Sequence, residues 1–188
     1  MTRNKENEKK LEYLSNIDGL TSLFNRRYFD HMLHYYWESP SHCHYPLSVI
    51  LFDVDYFKSY NDYYGHVLGD QCLINISTRI KGLLDSYEAV CARYGGEEFA
   101  VILPQRESHE AYLIAEKIRF EIEQLHIPHQ MSNISEWVTM SFGVASVIPN
   151  ESLNSKELLE LADQALYEAK KCGRNRVFRF EETLVLSK

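Results

Sequence analysis

The apolar run from Leu47 to Phe52, which stops on Asp53-Val54-Asp55, constrains this chain more than any other segment. A strand with one wet face alternates apolar and polar residues, whereas a continuous run reads as a central strand covered on both faces. The acids that follow then lie at its C-terminal edge, where it emerges at a surface. Strand-like runs at Ala89–Ala92 and Phe99–Leu103 flank Arg93-Tyr94-Gly95-Gly96-Glu97-Glu98. A Gly-Gly pair between strands signals a hairpin, because glycine tolerates the positive φ that two-residue turns demand. Glu97 and Glu98 would sit at its tip, where carboxylates can hold a metal beside a phosphate. An ordinary solvated turn is the alternative, and this segment alone leaves both open.

Helical spacing surrounds these strands. Phe29, Met32, Leu33 and Tyr36 give a helix over Asn25–Trp37, and Leu73, Ile76, Ile80 and Leu83 give another after Gly69-Asp70. Ala115, Ile118, Ile122 and Leu125 mark a third. Val138–Val147 reads as a strand. Asn154 with Glu157 forms a capping-box-like start for a helix that buries Leu158, Leu161, Ala165, Leu166 and Ala169 and ends at Gly173. Arg176–Phe180 is the last expected strand. The resulting fold class is α/β (α+β), with helices packed around one sheet. Residues 1–16 are expected to be the end of a helical stalk, 17–181 one domain and 182–188 a tail; a frayed terminus is the other reading of the first segment.

At 188 residues, one domain can bury a real core without staples. No apolar run approaches the roughly 20 residues of a membrane span, and the charged start carries no signal-peptide core, so the expected location is the cytoplasm. A net charge of −7 argues against a nucleic-acid-binding surface, though not against one nucleotide held through a cation. Cys43, Cys72, Cys91 and Cys172 are scattered, which suits reduced core thiols. His42-Cys43-His44, with His31 and His34 upstream, matches no closed tetrahedral metal site.

Three separated segments closely resemble the GGDEF family of diguanylate cyclases in order and spacing. They are Phe52-Asp53-Val54-Asp55-Tyr56-Phe57-Lys58, then Asn61-Asp62-Tyr63-Tyr64-Gly65-His66 with Gly69-Asp70, then Gly95-Gly96-Glu97-Glu98-Phe99. The match extends upstream to Asp18-Gly19-Leu20-Thr21 and downstream through Ser141-Phe142-Gly143-Val144-Ala145 to Ala162–Arg176. It implies a palm-like nucleotidyl cyclase fold with a central, mostly antiparallel, five-stranded sheet. It also implies condensation of two GTP into cyclic di-GMP and two pyrophosphates in a homodimer, within bacterial signalling and under a possible upstream sensor domain.

By this resemblance two Mg²⁺ or Mn²⁺ ions bind Asp53, Glu97 and the Val54 carbonyl, hard oxygen donors suited to such ions. Glu98 lies near them as a candidate proton acceptor. Asn61 and Asp70 read the guanine edge, although Asn61 could instead end a turn and Asp70 cap a helix beginning near Gln71. Lys58 and the amides around Tyr56 and Phe57 cradle phosphate, while Lys170 and Arg174 clamp the terminal phosphates or, alternatively, act as favourable charges at a helix C-terminus. Asp55 could assist Asp53, since residues at i and i+2 share a strand face, but it reads as structural, capping the turn that follows; His66 reads as structural, and Arg93 equally as a structural or signalling contact or as a catalytic one. Many family members carry Arg-x-x-Asp, a product-binding site, where this chain has Ser86-Tyr87-Glu88-Ala89, so inhibition there is expected to be weak or absent. A catalytically silent GTP-binding module and a different palm-type cyclase or polymerase are the competing expectations.

Overall fold

The computed structural model describes residues 15–180 except 40, 42, 43 and 151. The expected stalk, apart from residues 15 and 16, lies outside the described residues, as do the 182–188 tail, His42 and Cys43. The apolar run forms β2 (Leu47–Val54), with all eight residues buried. It lies mid-sheet between β4 (Glu98–Pro104) and β5 (Met140–Val147), antiparallel to both. Beyond β4 come β3 (Val90–Arg93) and a two-residue β1 (Phe24–Asn25), and beyond β5 comes β6 (Val177–Arg179). The sheet therefore has six strands where five were expected. Its three central pairings are antiparallel and the pairings of β1 with β3 and of β6 with β5 are parallel. The extra strand escapes pattern reading because two residues show no period.

Helices cover both faces. On one, Val49 and Leu51 meet α1 (Arg26–Glu38) and α5 (Ser155–Lys171). On the other, Ile50, Phe52 and Val54 meet α2 (Phe57–Tyr64), α3 (His66–Leu84) and α4 (Ser108–Glu123). Side chains that alternate across β2 thus enter two separate cores. Asp53 has the parity of Val49 and Leu51, which turns it toward α5.

The helix ends follow from local chemistry. Asn25 accepts from the Tyr28 amide at 3.0 Å, which starts α1 one residue later than expected. Asn154 Oδ1 accepts from the Lys156 and Glu157 amides at 3.0 and 3.1 Å, while Glu157 accepts from the Asn154 amide at 2.7 Å, so the capping box forms. Two helices, not one, follow β2. Gly65 takes a left-handed φ of 83° between them, so α3 begins at His66 and not near Gln71. Asp70 accordingly lies inside α3, exposed, and is not its cap.

Gly143 lets α5 touch β5. A Cβ there would stand 2.1 Å from the Ala162 carbonyl oxygen and 2.2 Å from the Leu166 nitrogen. Cys72 and Cys91 are buried and free as expected, whereas Cys172, at the C-cap of α5, is exposed.

Candidate active site

Asp53, the last residue but one of the central strand, faces Glu98 on one neighbour and Ser141 on the other. One position on, the Val54 amide donates to the Glu97 carbonyl at 3.3 Å, which ties the hairpin tip to the strand end. Asp53 is only 8% exposed. Burial pushes its carboxyl up to about 6; the Lys170 ammonium opposes this, and the charges of Asp55 and Glu97 add to it. Lys170, from the last turn of α5, donates directly to Asp53 Oδ2. A buried acid crowded by two others and compensated by one lysine is arranged to accept further positive charge.

The hairpin differs from the two-residue turn expected. Its loop spans four residues, Tyr94 to Glu97, and the Tyr94 and Gly95 amides donate to the Glu98 carbonyl at 2.8 and 3.2 Å. Neither glycine has positive φ, because a longer loop turns the chain without it. At Gly95 the value of glycine is spatial, and at Gly96 neither φ nor space requires it. A Cβ on Gly95 would meet Glu98 Oε2 at 2.5 Å, while nothing lies within 4 Å of one on Gly96. Glu98 is exposed and folds back beside Gly95.

Arg93 has a structural role. It donates to the Gly96 carbonyl through Nε (3.0 Å) and Nη2 (2.7 Å) and to Asp18 Oδ1 through Nη1 (3.3 Å). Burial pushes the Asp18 carboxyl up, but the Thr21 hydroxyl and amide together with Arg93 outweigh it and hold it below the usual range. The segment entering the domain is thereby bonded to the carbonyl at the hairpin tip.

Asp55 is 2% exposed, and both its oxygens are taken. Oδ1 accepts from Ser141 Oγ at 2.6 Å; Oδ2 accepts from Thr139 Oγ1 at 2.8 Å and from the Asn175 amide at 3.1 Å. It is structural as expected, but it ties down β5 and the loop after α5; it does not cap the turn that follows it.

Tyr56 starts α2 with a left-handed φ of 55°. Its carbonyl accepts from His129 Nε2 at 3.2 Å, and His129 packs edge-on against Tyr60 at 5.2 Å. Burial lowers the His129 pKa, so the ring is a neutral donor there. Phe57 is buried and Lys58 exposed, and both lie in the first turn of α2, whose amides have no partners within the helix. The Arg174 guanidinium lies 4.5 Å above the Tyr56 ring. Asn61 stands mid-way along α2 with its Oδ1 buried and without a hydrogen-bond partner among the described residues. Gly69 makes room for it, since a Cβ there would lie 1.9 Å from that oxygen.

Among the described residues no group of three or more His, Cys, Asp or Glu side chains is placed to hold a metal. Asp53 and Glu97 are two carboxylates, so further ligands must come from main-chain carbonyls, water or nucleotide oxygens. Hollows of about 450 Å³ beside Arg79 and Leu125 and about 710 Å³ beside His129 and Trp137 include neither acid. The donor set, not a cavity, marks the site. His129 and Asn175 have no signal in sequence spacing, because their partners lie 73 and 120 residues away.

A central antiparallel strand ending in acids beside a glycine hairpin, with helices on both faces, defines a palm-like nucleotidyl cyclase fold. The family model described as the diguanylate cyclase, GGDEF domain, matches residues 15–176, and the chain belongs to that family. It is 41% identical over 179 residues to diguanylate cyclase VdcA of Vibrio cholerae, which covers 94% of this chain and 50% of that protein. It is 39% identical to diguanylate cyclase A of Treponema denticola over 91% of this chain and 46% of that one. The chain spans about half the length of these curated relatives. Among solved structures, the coiled coil and GGDEF domain of DgcB from Caulobacter crescentus in complex with c-di-GMP superposes with a TM-score of 0.83 at 30% identity, covering 94% of this chain and 92% of that one. The active GGEEF domain of a Vibrio cholerae diguanylate cyclase gives 0.71 at 31% identity, covering 84% and 97%. No helix among the described residues is long and apolar enough to cross a membrane.

Proposed function

We propose that this domain, residues 17–181, is a diguanylate cyclase unit that condenses two GTP into cyclic di-GMP and two pyrophosphates. The observation that carries the reading is Asp53, buried at a strand end beside Glu97 with its pKa raised to about 6 and neutralised by Lys170. That environment fits Mg²⁺ or Mn²⁺, which favour hard oxygen donors and would offset the crowded negative charge. Asp53, Glu97 and the Val54 carbonyl would hold them. When bound, two such ions acidify an attacking 3′-hydroxyl and neutralise charge on the leaving pyrophosphate.

The chain's own residues supply position. The first-turn amides of α2 and Lys58 receive phosphate at a helix N-terminus. Lys170 neutralises Asp53 in the ligand-free chain and, with Arg174, binds the terminal phosphates of the nucleotide. Asp70 accepts from N1–H and the exocyclic amine of guanine, and Asn61 completes the edge, its Oδ1, unpartnered among the described residues, accepting a hydrogen of that amine. Glu98, exposed at the start of β4 opposite Asp53, is the candidate acceptor for the hydroxyl proton. Each copy presents one GTP, so turnover takes place across a two-fold homodimer, and monomers bind GTP but react slowly. With Ser86 where the motif has its arginine and Glu88 adding negative charge nearby, the dianionic product gains no foothold at Ser86–Ala89.

Incubation with Mg²⁺ and GTP or ATP, followed by nucleotide separation, tests the reading. A cyclic dinucleotide from GTP alone, lost in Asp53→Asn and Glu97→Gln, is the expected result. Binding without turnover would make the chain a silent GTP module, and a cyclic mononucleotide or polymer would assign it to another class.

A further inference from the structure

We infer that Asn175, anchored by Asp55, Arg119 and Glu123, is a positioning residue that fixes Arg174 over the nucleotide's terminal phosphates. The chain leaves α5 through three successive left-handed residues, Gly173 (φ 113°), Arg174 (φ 63°) and Asn175 (φ 45°). Glycine adopts that region freely and asparagine tolerates it, but arginine does so only when its surroundings hold it there.

The surroundings hold this loop through Asn175. Its amide donates to Asp55 Oδ2 at 3.1 Å, its Oδ1 accepts from Arg119 Nη1 at 3.1 Å, and its Nδ2 donates to Glu123 Oε1 at 3.2 Å. Each anchor is itself fixed. Asp55 is buried and bonded to Thr139 and Ser141, while Arg119 also bonds Glu116 at 2.9 Å and Glu123 at 3.2 Å. The Arg174 amide completes the turn by donating to the Ala169 carbonyl at 3.0 Å. The guanidinium is left stacked on Tyr56, the residue that starts α2, the helix whose first amides are proposed above to receive phosphate. This also gives the second acid of the Asp53-Val54-Asp55 pair a task apart from metal binding: its Oδ2 holds the clamp loop, while Oδ1 is taken by Ser141.

The inference rests on the reading that Arg174 engages terminal phosphates, and the test separates the two. Affinities for α,β-methylene GTP and for GMP are measured in Mg²⁺ for the full chain and for Arg174→Ala, Asn175→Ala and the double variant, with thermal melts alongside. Arg174→Ala should weaken the triphosphate roughly tenfold, and Asn175→Ala, which removes the two side-chain anchors but keeps the main-chain N–H bond to Asp55, roughly fivefold, each leaving GMP within about twofold and the double variant no weaker than Arg174→Ala. If Arg174→Ala weakens the triphosphate but Asn175→Ala does not, or if Asn175→Ala weakens both ligands alike, the positioning role is overturned. If Arg174→Ala has no effect, the clamp reading itself fails and the inference falls with it. Should Asn175→Ala not fold, Arg119→Gln, which loosens one anchor from the surface of α4, should give a smaller loss confined to the triphosphate; a loss of GMP binding as well would overturn the role.

Discussion

Replacing Gly143 with alanine should drive α5 off the sheet. The new Cβ would lie 2.1 Å from the Ala162 oxygen, 2.2 Å from the Leu166 nitrogen and 2.8 Å from the Leu166 Cα, all main-chain atoms of one helix. No side-chain rotation relieves such a clash, so α5 must retreat by about an ångström to restore ordinary contact, and a gap of that size forfeits a quarter to a half of each attraction across it. The contacts at risk are those of Leu158, Ala162, Ala165, Leu166 and Ala169, all buried on this face. Overpacking usually costs 1–3 kcal/mol, and a main-chain clash belongs at or above the top of that range, about 3 kcal/mol. For a chain of this size that is a fall in Tm of roughly 10 °C. The retreat also draws Lys170 away from Asp53. Urea denaturation of wild type and Gly143→Ala measures the cost directly. Gly82→Ala is the control, since it lies in α3 with nothing within 4 Å and should stabilise by up to about 1 kcal/mol through helix propensity. A Gly143→Ala protein within about 1 kcal/mol of wild type would refute the close packing of α5 on β5.

Asp53 gives a pH signature. Its folded pKa of about 6 exceeds the ordinary 3.8, so metal-free protein gains stability from it at low pH and loses that gain, up to about 3 kcal/mol, as pH rises from 4 through 6. In chelator at pH 7, Asp53→Asn should therefore be more stable than wild type, with the difference shrinking below pH 5; a less stable variant at pH 7 would contradict the burial argument. Gly69→Ala places a Cβ 1.9 Å from Asn61 Oδ1, so it should swing that amide away and weaken guanine nucleotide binding about tenfold in a folded protein. Unchanged affinity by calorimetry would remove Asn61 from the base site. Burial pushes the Cys72 and Cys91 thiols up to about 12, so a thiol reagent on native protein should label Cys172 and spare both, as peptide mapping would show.

The central strand and its acids were legible because a doubly covered strand leaves a run that no solvated segment imitates. The helices showed in their apolar spacing and the start of α5 in its capping box. What stayed hidden was local geometry without a period. Phe57–Tyr64 is aromatic and polar throughout and starts from a left-handed tyrosine, so its helix, and with it the true start of α3, went unseen. The hairpin was placed correctly, but for a reason of φ where the structure gives one of space, and that at Gly95 and not at Gly96. Asp55 could be judged structural from its position, yet its partners, Thr139, Ser141 and Asn175, lie 84 to 120 residues away and only the fold unites them. Lys170 was readable as a phosphate ligand or a helix-end charge, and neither reading included its bond to Asp53.

The central claim is that Asp53 and Glu97 share a divalent cation with the nucleotide. A crystal grown with Mn²⁺ and α,β-methylene GTP, with anomalous scattering recorded to locate the metal, tests it most directly. The account predicts an ion with oxygens of both carboxylates at about 2.1 Å and Lys170 released from Asp53. Manganese bound by the triphosphate alone, with Asp53 still paired to Lys170, would contradict it.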